Sequence, residues 1–226
     1  MAGETIKSEA ICLDVRPWSK TSHVVSWLTP RGRVATVVKG AERPKSFFLG
    51  QYDLNYTCEI LYYARARGEI HALRECVPTV RRDELRENYR ALALAGYFRR
   101  LAAELSPSGP DAEDWYEMLS RSLDGLSAGG AGLLADLLSY ELRVLELMGL
   151  GLQIGLEGGL LMLRGERRIP VSSTVAAALA SPRCEKNPSI LIDAARVVGV
   201  YYQFHVDCAS DVRRAVLGMI SKLQEG

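Results

Sequence analysis

The sequence predicts an α+β chain, with a five-stranded OB-fold barrel at the N-terminus followed by an all-helical C-terminal domain. Short β-branched or alternating segments fill roughly the first 80 residues, and segments with apolar residues three and four apart fill the remainder. The charge changes sign at the same boundary. Residues 1–82 carry 13 Lys and Arg against 8 Asp and Glu, whereas residues 83–226 carry 15 against 19. Five short strands in one module suggest a small closed barrel, and the OB-fold is the commonest of that size. The expected domains are 1–80, the barrel, and 81–226, helical with an irregular segment at about 149–170.

The strands follow in order. Residues 10–15 are apolar and end at Arg16-Pro17; residues 23–28 form the second strand. Thr29-Pro30-Arg31-Gly32 is a turn with Pro at its second position. Residues 33–38 alternate and are β-branched, residues 52–63 read as one long strand, and residues 70–77 close the set after a turn at 65–69.

Residues 83–104 read as a long helix with Leu85, Tyr89, Leu92, Tyr97 and Leu101 near one face. Ser106-Pro107-Ser108-Gly109-Pro110 breaks it, and residues 111–126 resume with Trp115, Met118, Leu119, Ser122 and Leu126 aligned. After a loop at 127–130, residues 133–148 form an apolar helix that Gly149 ends in a left-handed cap. Residues 149–170 are Gly-rich, with one short hairpin at 160–168. Three helices complete the chain: 171–180 capped by Ser172 or Ser173, 189–206 capped by Ser189, and 211–223.

Composition excludes several classes. The 226 residues are 48% hydrophobic and 24% charged with a net charge of +1, so a core forms and disorder is not the main state. No apolar run is long enough for a transmembrane helix, and the acidic, alternating first residues do not read as a signal peptide. The five cysteines (12, 58, 76, 184 and 208) are odd in number and lack CxxC spacing, which points to a reducing compartment and to buried thiols. His23, His71 and His205 form no HExxH, and neither GxSxG nor GxxxxGK[ST] occurs. Gly149-Leu150-Gly151 follows a helix, with the next Gly one place late for a dinucleotide fingerprint. The chain is therefore not expected to be an enzyme.

One chemical feature remains. Residues 16–45 hold Arg16, Lys20, Arg31, Arg33, Lys39, Arg43 and Lys45 against the single acid Glu42. In Lys39-Gly40-Ala41-Glu42-Arg43-Pro44-Lys45-Ser46, Gly40 and Pro44 shape a loop whose cations, with the Ser46 hydroxyl, suit a phosphate backbone. Trp18, Phe47, Phe48, Tyr62 and Tyr63 lie nearby in sequence and belong either to base stacking or to the barrel core or a domain interface. Arg82, Arg86 and Arg90 extend the basic track on one helix face, provided the helix starts early. The same cations also suit solvated strand edges that block aggregation, so the competing expectation is an OB-fold protein-interaction scaffold without direct DNA binding.

Several segments stand in a fixed order along the chain: Glu9-Ala10-Ile11-Cys12-Leu13, Leu28-Thr29-Pro30-Arg31-Gly32-Arg33-Val34, Val38 to Ser46 and Gly68-Glu69-Ile70-His71-Ala72-Leu73-Arg74-Glu75. Tyr97 with Glu104-Leu105, and Tyr140-Glu141-Leu142-Arg143-Val144-Leu145-Glu146-Leu147-Met148-Gly149, continue the order in the helical part. In that order the segments resemble the opening strand, the strand–turn–strand, the basic Gly-Ala-Arg loop, a later segment and two helices of the RecO family of bacterial recombination mediators. One departure is plain: many members follow that glycine with a four-cysteine zinc module, and residues 150–170 contain no cysteine, so no cofactor is expected.

The resemblance implies binding of single- and double-stranded DNA and annealing of complementary strands. It also implies cooperation with RecR and the single-stranded-DNA-binding protein in loading RecA. It implies a bacterial, cytoplasmic, nucleoid-associated protein away from any membrane.

Overall fold

The computed structural model describes residues 4–65, 68–130, 132–157, 160–164, 168–206, 208 and 210–221. Five strands form a closed barrel: β1 (Thr5–Ser19), β2 (Ser22–Thr29), β3 (Gly32–Val38), β4 (Thr57–Tyr63) and β5 (Ile70–Val80), in the order β1-β2-β3-β5-β4. All pairs are antiparallel except β3 with β5. This is the OB-fold topology that the strand count predicts. The long β1 makes closure possible, because its first half pairs with β4 and its second half with β2.

β1 is longer than the sequence suggests, since Arg16-Pro17 does not end it. Two register shifts, at Leu13 and Trp18, bend the strand around the barrel. Conversely, residues 52–56 are not strand: Asn55 adopts φ +70, and Tyr56 N–H donates to the Asp53 carbonyl in a turn. Inside the barrel lie Ala10, Cys12, Val25, Trp27, Val38, Cys58, Ile60 and Cys76, with Trp27 Nε1–H donating to Thr36 Oγ1 at 2.8 Å. Burial pushes the Cys12 thiol well above its ordinary pKa. Cys184, expected to be buried, is exposed beside Pro182 in a short 3-10 turn.

The helices are α1 (Tyr89–Leu105), α2 (Glu113–Ser127), α3 (Leu133–Leu147), α4 (Ser173–Ala180), α5 (Pro188–His205) and α6 (Ser210–Ser221). The helix expected from residue 83 starts later. A 3-10 turn fills Asp83–Glu87, and the Asn88 Oδ1 then caps α1 by accepting from the Arg90 and Ala91 amides. This break shifts the phase, so Tyr89 and Leu92 face solvent while Ala91, Leu94, Ala95, Phe98 and Ala102 join Tyr97 and Leu101 inside. Ser172 caps α4 as expected, and Asn187, not Ser189, caps α5. Gly149 has φ +75 after α3. The segment expected to be irregular with a hairpin at 160–168 carries a three-stranded antiparallel sheet, β6 (Gln153–Glu157), β7 (Leu160–Arg164) and β8 (Ile169–Pro170); the β7–β8 pair stands close to the expected hairpin, of which residues 165–167 lie outside the described residues. Part of the expected 65–69 turn and the end of the last helix lie outside the described residues.

The chain divides into two compact units: Met1–Asp83 with Arg99–Leu123, and Glu84–Phe98 with Asp124–Gly226. In the first, Arg99 Nη1–H donates to the Leu13 carbonyl at the first bulge, and Tyr116 Oη–H donates to Glu9 at 3.1 Å. The Thr29–Gly32 turn is held by Thr29 Oγ1–H donating to the Gly32 carbonyl at 2.8 Å. Gly32 has φ +116, and a Cβ there would fall 2.7 Å from the backbone nitrogen of Gly109. Gly32→Ala is therefore expected to destabilise by about 2 kcal/mol or more, from the strained φ and a collision with backbone. Urea denaturation checks this; an unchanged midpoint would mean that the turn relaxes freely.

In the second unit α5 packs against both α3 and α4. Phe98 and Tyr140 stack at 3.9 Å, and Tyr140 Oη–H donates to the Phe98 carbonyl at 3.0 Å. Among the described residues no helix is long and apolar enough to cross a membrane.

Candidate nucleic-acid interface

The loop that follows β3 leaves the barrel as a run of tight turns. Arg43 N–H donates to the Gly40 carbonyl, Ser46 N–H to that of Arg43, and Leu49 N–H to that of Ser46. Gly40 is in the left-handed region (φ +68), and the Arg43 stem lies across it, 3.1 Å from where a Cβ would sit. Ala41 is buried in the barrel core and pins the loop from within.

Two hydrogen bonds tie this loop to the β1–β2 hairpin: Glu42 N–H to the Thr21 carbonyl at 3.3 Å, and Gly40 N–H to Ser22 Oγ at 3.2 Å. Lys20, in the hairpin turn, is thereby joined to Lys39, Arg43 and Lys45, and all four are exposed. The one acid of the stretch is occupied. His23 Nε2 lies 2.9 Å from Glu42 Oε1, and its Nδ1 lies 2.8 Å from Tyr52 Oη. Tyr52 packs edge-on to Trp27 at 6.2 Å, so the clamp is anchored in the core. Burial pushes the Tyr52 hydroxyl pKa up, and it stays a neutral hydrogen-bonding partner. Sequence reasoning missed His23, because its partners lie 19 and 29 residues away and no local spacing reports them.

The other candidate residues go elsewhere. Arg16 is exposed near the end of β1 but ion-paired with Asp14. Ser46 Oγ accepts from the Phe48 amide at 3.2 Å, which shapes the loop. Arg31 and Arg33 sit at the opposite end of β2 and β3 from the loop, and Arg33 donates to the Ala103 carbonyl and to Ser108 Oγ. Arg82 corrects an expectation. It has φ +56, is only 6% exposed, and holds the Asn55 carbonyl (2.6 Å), Thr57 Oγ1 (2.9 Å) and Ser120 Oγ (3.2 Å). Arg82, Arg86 and Arg90 share no helix face: Arg86 is in the 3-10 turn, and Arg90 lies over the Tyr89 ring in α1.

The aromatics separate cleanly. Phe48 packs against the core, and Tyr62 is buried and stacked on His71 at 5.4 Å. Tyr63 carries Arg74 over its ring at 5.4 Å. Trp18 and Phe47 point outward, 62% and 94% exposed.

Residues 150–170, where the resemblance would place a zinc module, contain neither Cys nor His. That donor set does not fit a four-thiolate zinc site.

Comparison with known proteins gives a consistent picture. A family model described as "Recombination protein O N terminal" matches residues 1–80, and one described as "Recombination protein O C terminal" matches residues 86–154. A "DNA repair protein RecO" from Alkaliphilus metalliredigens is 26% identical over 147 residues, covering 64% of this chain and 58% of the relative. Another of the same description, from Roseiflexus sp., is 28% identical over 149 residues, covering 66% and 52%. The chain thus spans little more than half the length of these relatives. An OB-fold barrel with a basic loop, followed by helices, under two family models that together match about two thirds of its length, places this chain in the RecO family of DNA repair and recombination proteins.

Proposed function

We propose that the protein is a DNA-binding mediator of recombinational repair. It binds single- and double-stranded DNA and anneals complementary strands. With RecR, it assists RecA onto strands coated by the single-stranded-DNA-binding protein, in the bacterial cytoplasm at the nucleoid. No catalytic group and no metal is required.

The observation that supports this best is the joining of Lys20, Lys39, Arg43 and Lys45 on one exposed loop and hairpin while His23 occupies Glu42. Phosphate attraction is summed over a Debye length of about 8–10 Å, so this local excess matters more than the net charge of +1. Annealing follows from the same physics. Two phosphate backbones repel, and a cationic surface that holds both lowers the barrier through counterion release.

The test is binding of labelled single strands and duplexes across a salt series, followed by annealing with and without the single-stranded-DNA-binding protein. Four phosphate contacts give a log–log salt slope of about −3 to −4. No DNA affinity, together with salt-insensitive binding to a protein partner, would replace this reading with a docking scaffold. Trp18, Phe47 and Leu49, exposed on the same two segments, are the observation that favours the scaffold.

A further inference from the structure

We propose that Trp18 and Phe47 are base-stacking side chains that make the basic loop prefer single-stranded nucleic acid. This rests on the reading of that loop as a DNA interface and adds what the cations cannot supply. Lysine and arginine contacts to phosphate are made to single and double strands alike, whereas stacking on a base face requires an unpaired base.

Trp18 is placed by a bulge. Pro17 pairs with His23 and Ser19 with Ser22, so Trp18 is the extra residue on β1 with no partner on β2. Bulges re-aim side chains, and this one leaves a tryptophan 62% exposed two residues before Lys20. Phe47 is the most exposed large apolar side chain among the described residues, two residues after Lys45. Its neighbour Phe48 takes the core position, so Phe47 is not needed for packing. The two segments that carry these rings are the ones tied together through Thr21 and Ser22. Each aromatic is thus flanked by a cation on a segment fixed to the other, the combination that single-strand-binding surfaces use. A large exposed aromatic is unfavourable in water, and an unpaired base supplies the π-face that covers it.

The chain carries its own reporter. Of its three tryptophans, Trp27 and Trp115 are buried and Trp18 alone is exposed. Titration with an oligothymidine should quench Trp18 emission, and titration with a duplex should not. Trp18→Ala/Phe47→Ala should lose roughly tenfold or more in oligothymidine affinity and less than about twofold in duplex affinity, with an unchanged salt slope, because no phosphate contact is removed. Trp18→Phe should keep the affinity and lose the quench, since phenylalanine still stacks.

Absent quenching, an unchanged ratio of single-strand to duplex affinity, or an equal loss on both substrates would overturn the proposal. Retained salt-dependent duplex binding would then leave the basic loop as a DNA interface, with the aromatic pair assigned to a protein partner. Loss of all DNA affinity in the wild type overturns both readings. Circular dichroism of the double variant confirms folding, which two exposed positions should leave intact.

Discussion

Replacing Lys39, Arg43 and Lys45 together by alanine is expected to flatten the salt dependence of DNA binding by about three units of log–log slope, one for each phosphate contact removed. Affinity should fall for every sequence and for both strand states, as expected when the cations removed contact phosphate and read no bases. The loss should be largest at low salt, where counterion release drives binding most strongly. All three side chains are exposed. The loop is pinned by Ala41, by the Gly40 and Glu42 amides and by the His23–Glu42 contact, none of which the substitutions remove. Thermal stability should therefore change little, and a binding loss is not a folding loss. Anisotropy titrations at several salt concentrations read the slope directly, and a triple variant with the wild-type slope would remove the loop from the interface. Arg16 and Arg33 are informative controls. Their guanidinium groups already bond Asp14, and Ala103 with Ser108, so alanine at either should change the slope less than one loop cation does.

The barrel was legible in the sequence because period-two alternation and β-branched runs report directly on strands with one buried face. Its ends were less so. Pro17 looks like a terminator, yet β1 runs on to Ser19 because Trp18 bulges out beside it. Residues 52–56 carry strand-forming side chains, but Tyr52 is drawn to Trp27 and His23, and Asn55 turns the chain. In both places tertiary contacts decide against local pattern. The helix expected from Asp83 illustrates the same limit. Its apolar spacing continues through Asn88, whose side chain caps α1 instead of joining it, and Leu85 is buried from a 3-10 turn.

The candidate site was half legible. A run of cations is visible in any sequence, so Lys20, Lys39, Arg43 and Lys45 could be named. Which cations are spent on the fold could not. Arg82 and Lys39 look alike in one dimension, but Arg82 donates to three oxygens inside the first unit and Lys39 is exposed. Arginine suits such interior bonding because its planar fork serves several acceptors at once and is weakly hydrated. It follows that three of the four cations left on the loop and hairpin are lysines, while Arg33, Arg82 and Arg99 are drawn into structural bonds.

The same chemistry in the second unit leads to the largest stability effect. Arg213→Ala is expected to cost about 3–5 kcal/mol. Glu141 on α3 is fully buried, and its carboxylate accepts from Arg213 Nε at 2.7 Å, from Arg213 Nη2 at 2.9 Å and from Tyr97 Oη at 2.7 Å. Arg213 on α6 also donates to the Ala195 carbonyl of α5, and Tyr202 of α5 donates to the Glu141 backbone carbonyl. One ion pair thus ties α1, α3, α5 and α6 together. Burial disfavours the Arg213 cation, but the Glu141 charge and hydrogen bonds outweigh it and hold its pKa above the usual value. Removing the cation leaves a buried carboxylate with, among the described residues, only the Tyr97 hydroxyl as side-chain donor, and that desolvated charge is the source of the cost. Glu141→Leu combined with Arg213→Met should recover much of the loss, because an apolar pair of similar volume removes both charges. Urea denaturation of the single and double variants gives the coupling. Near-wild-type stability of Arg213→Ala would show that water reaches Glu141. DNA affinity of the folded single variant should be unchanged, because the loop cations belong to the first unit. A combined loss of stability and binding slope would mean that the charge pair also supports the interface.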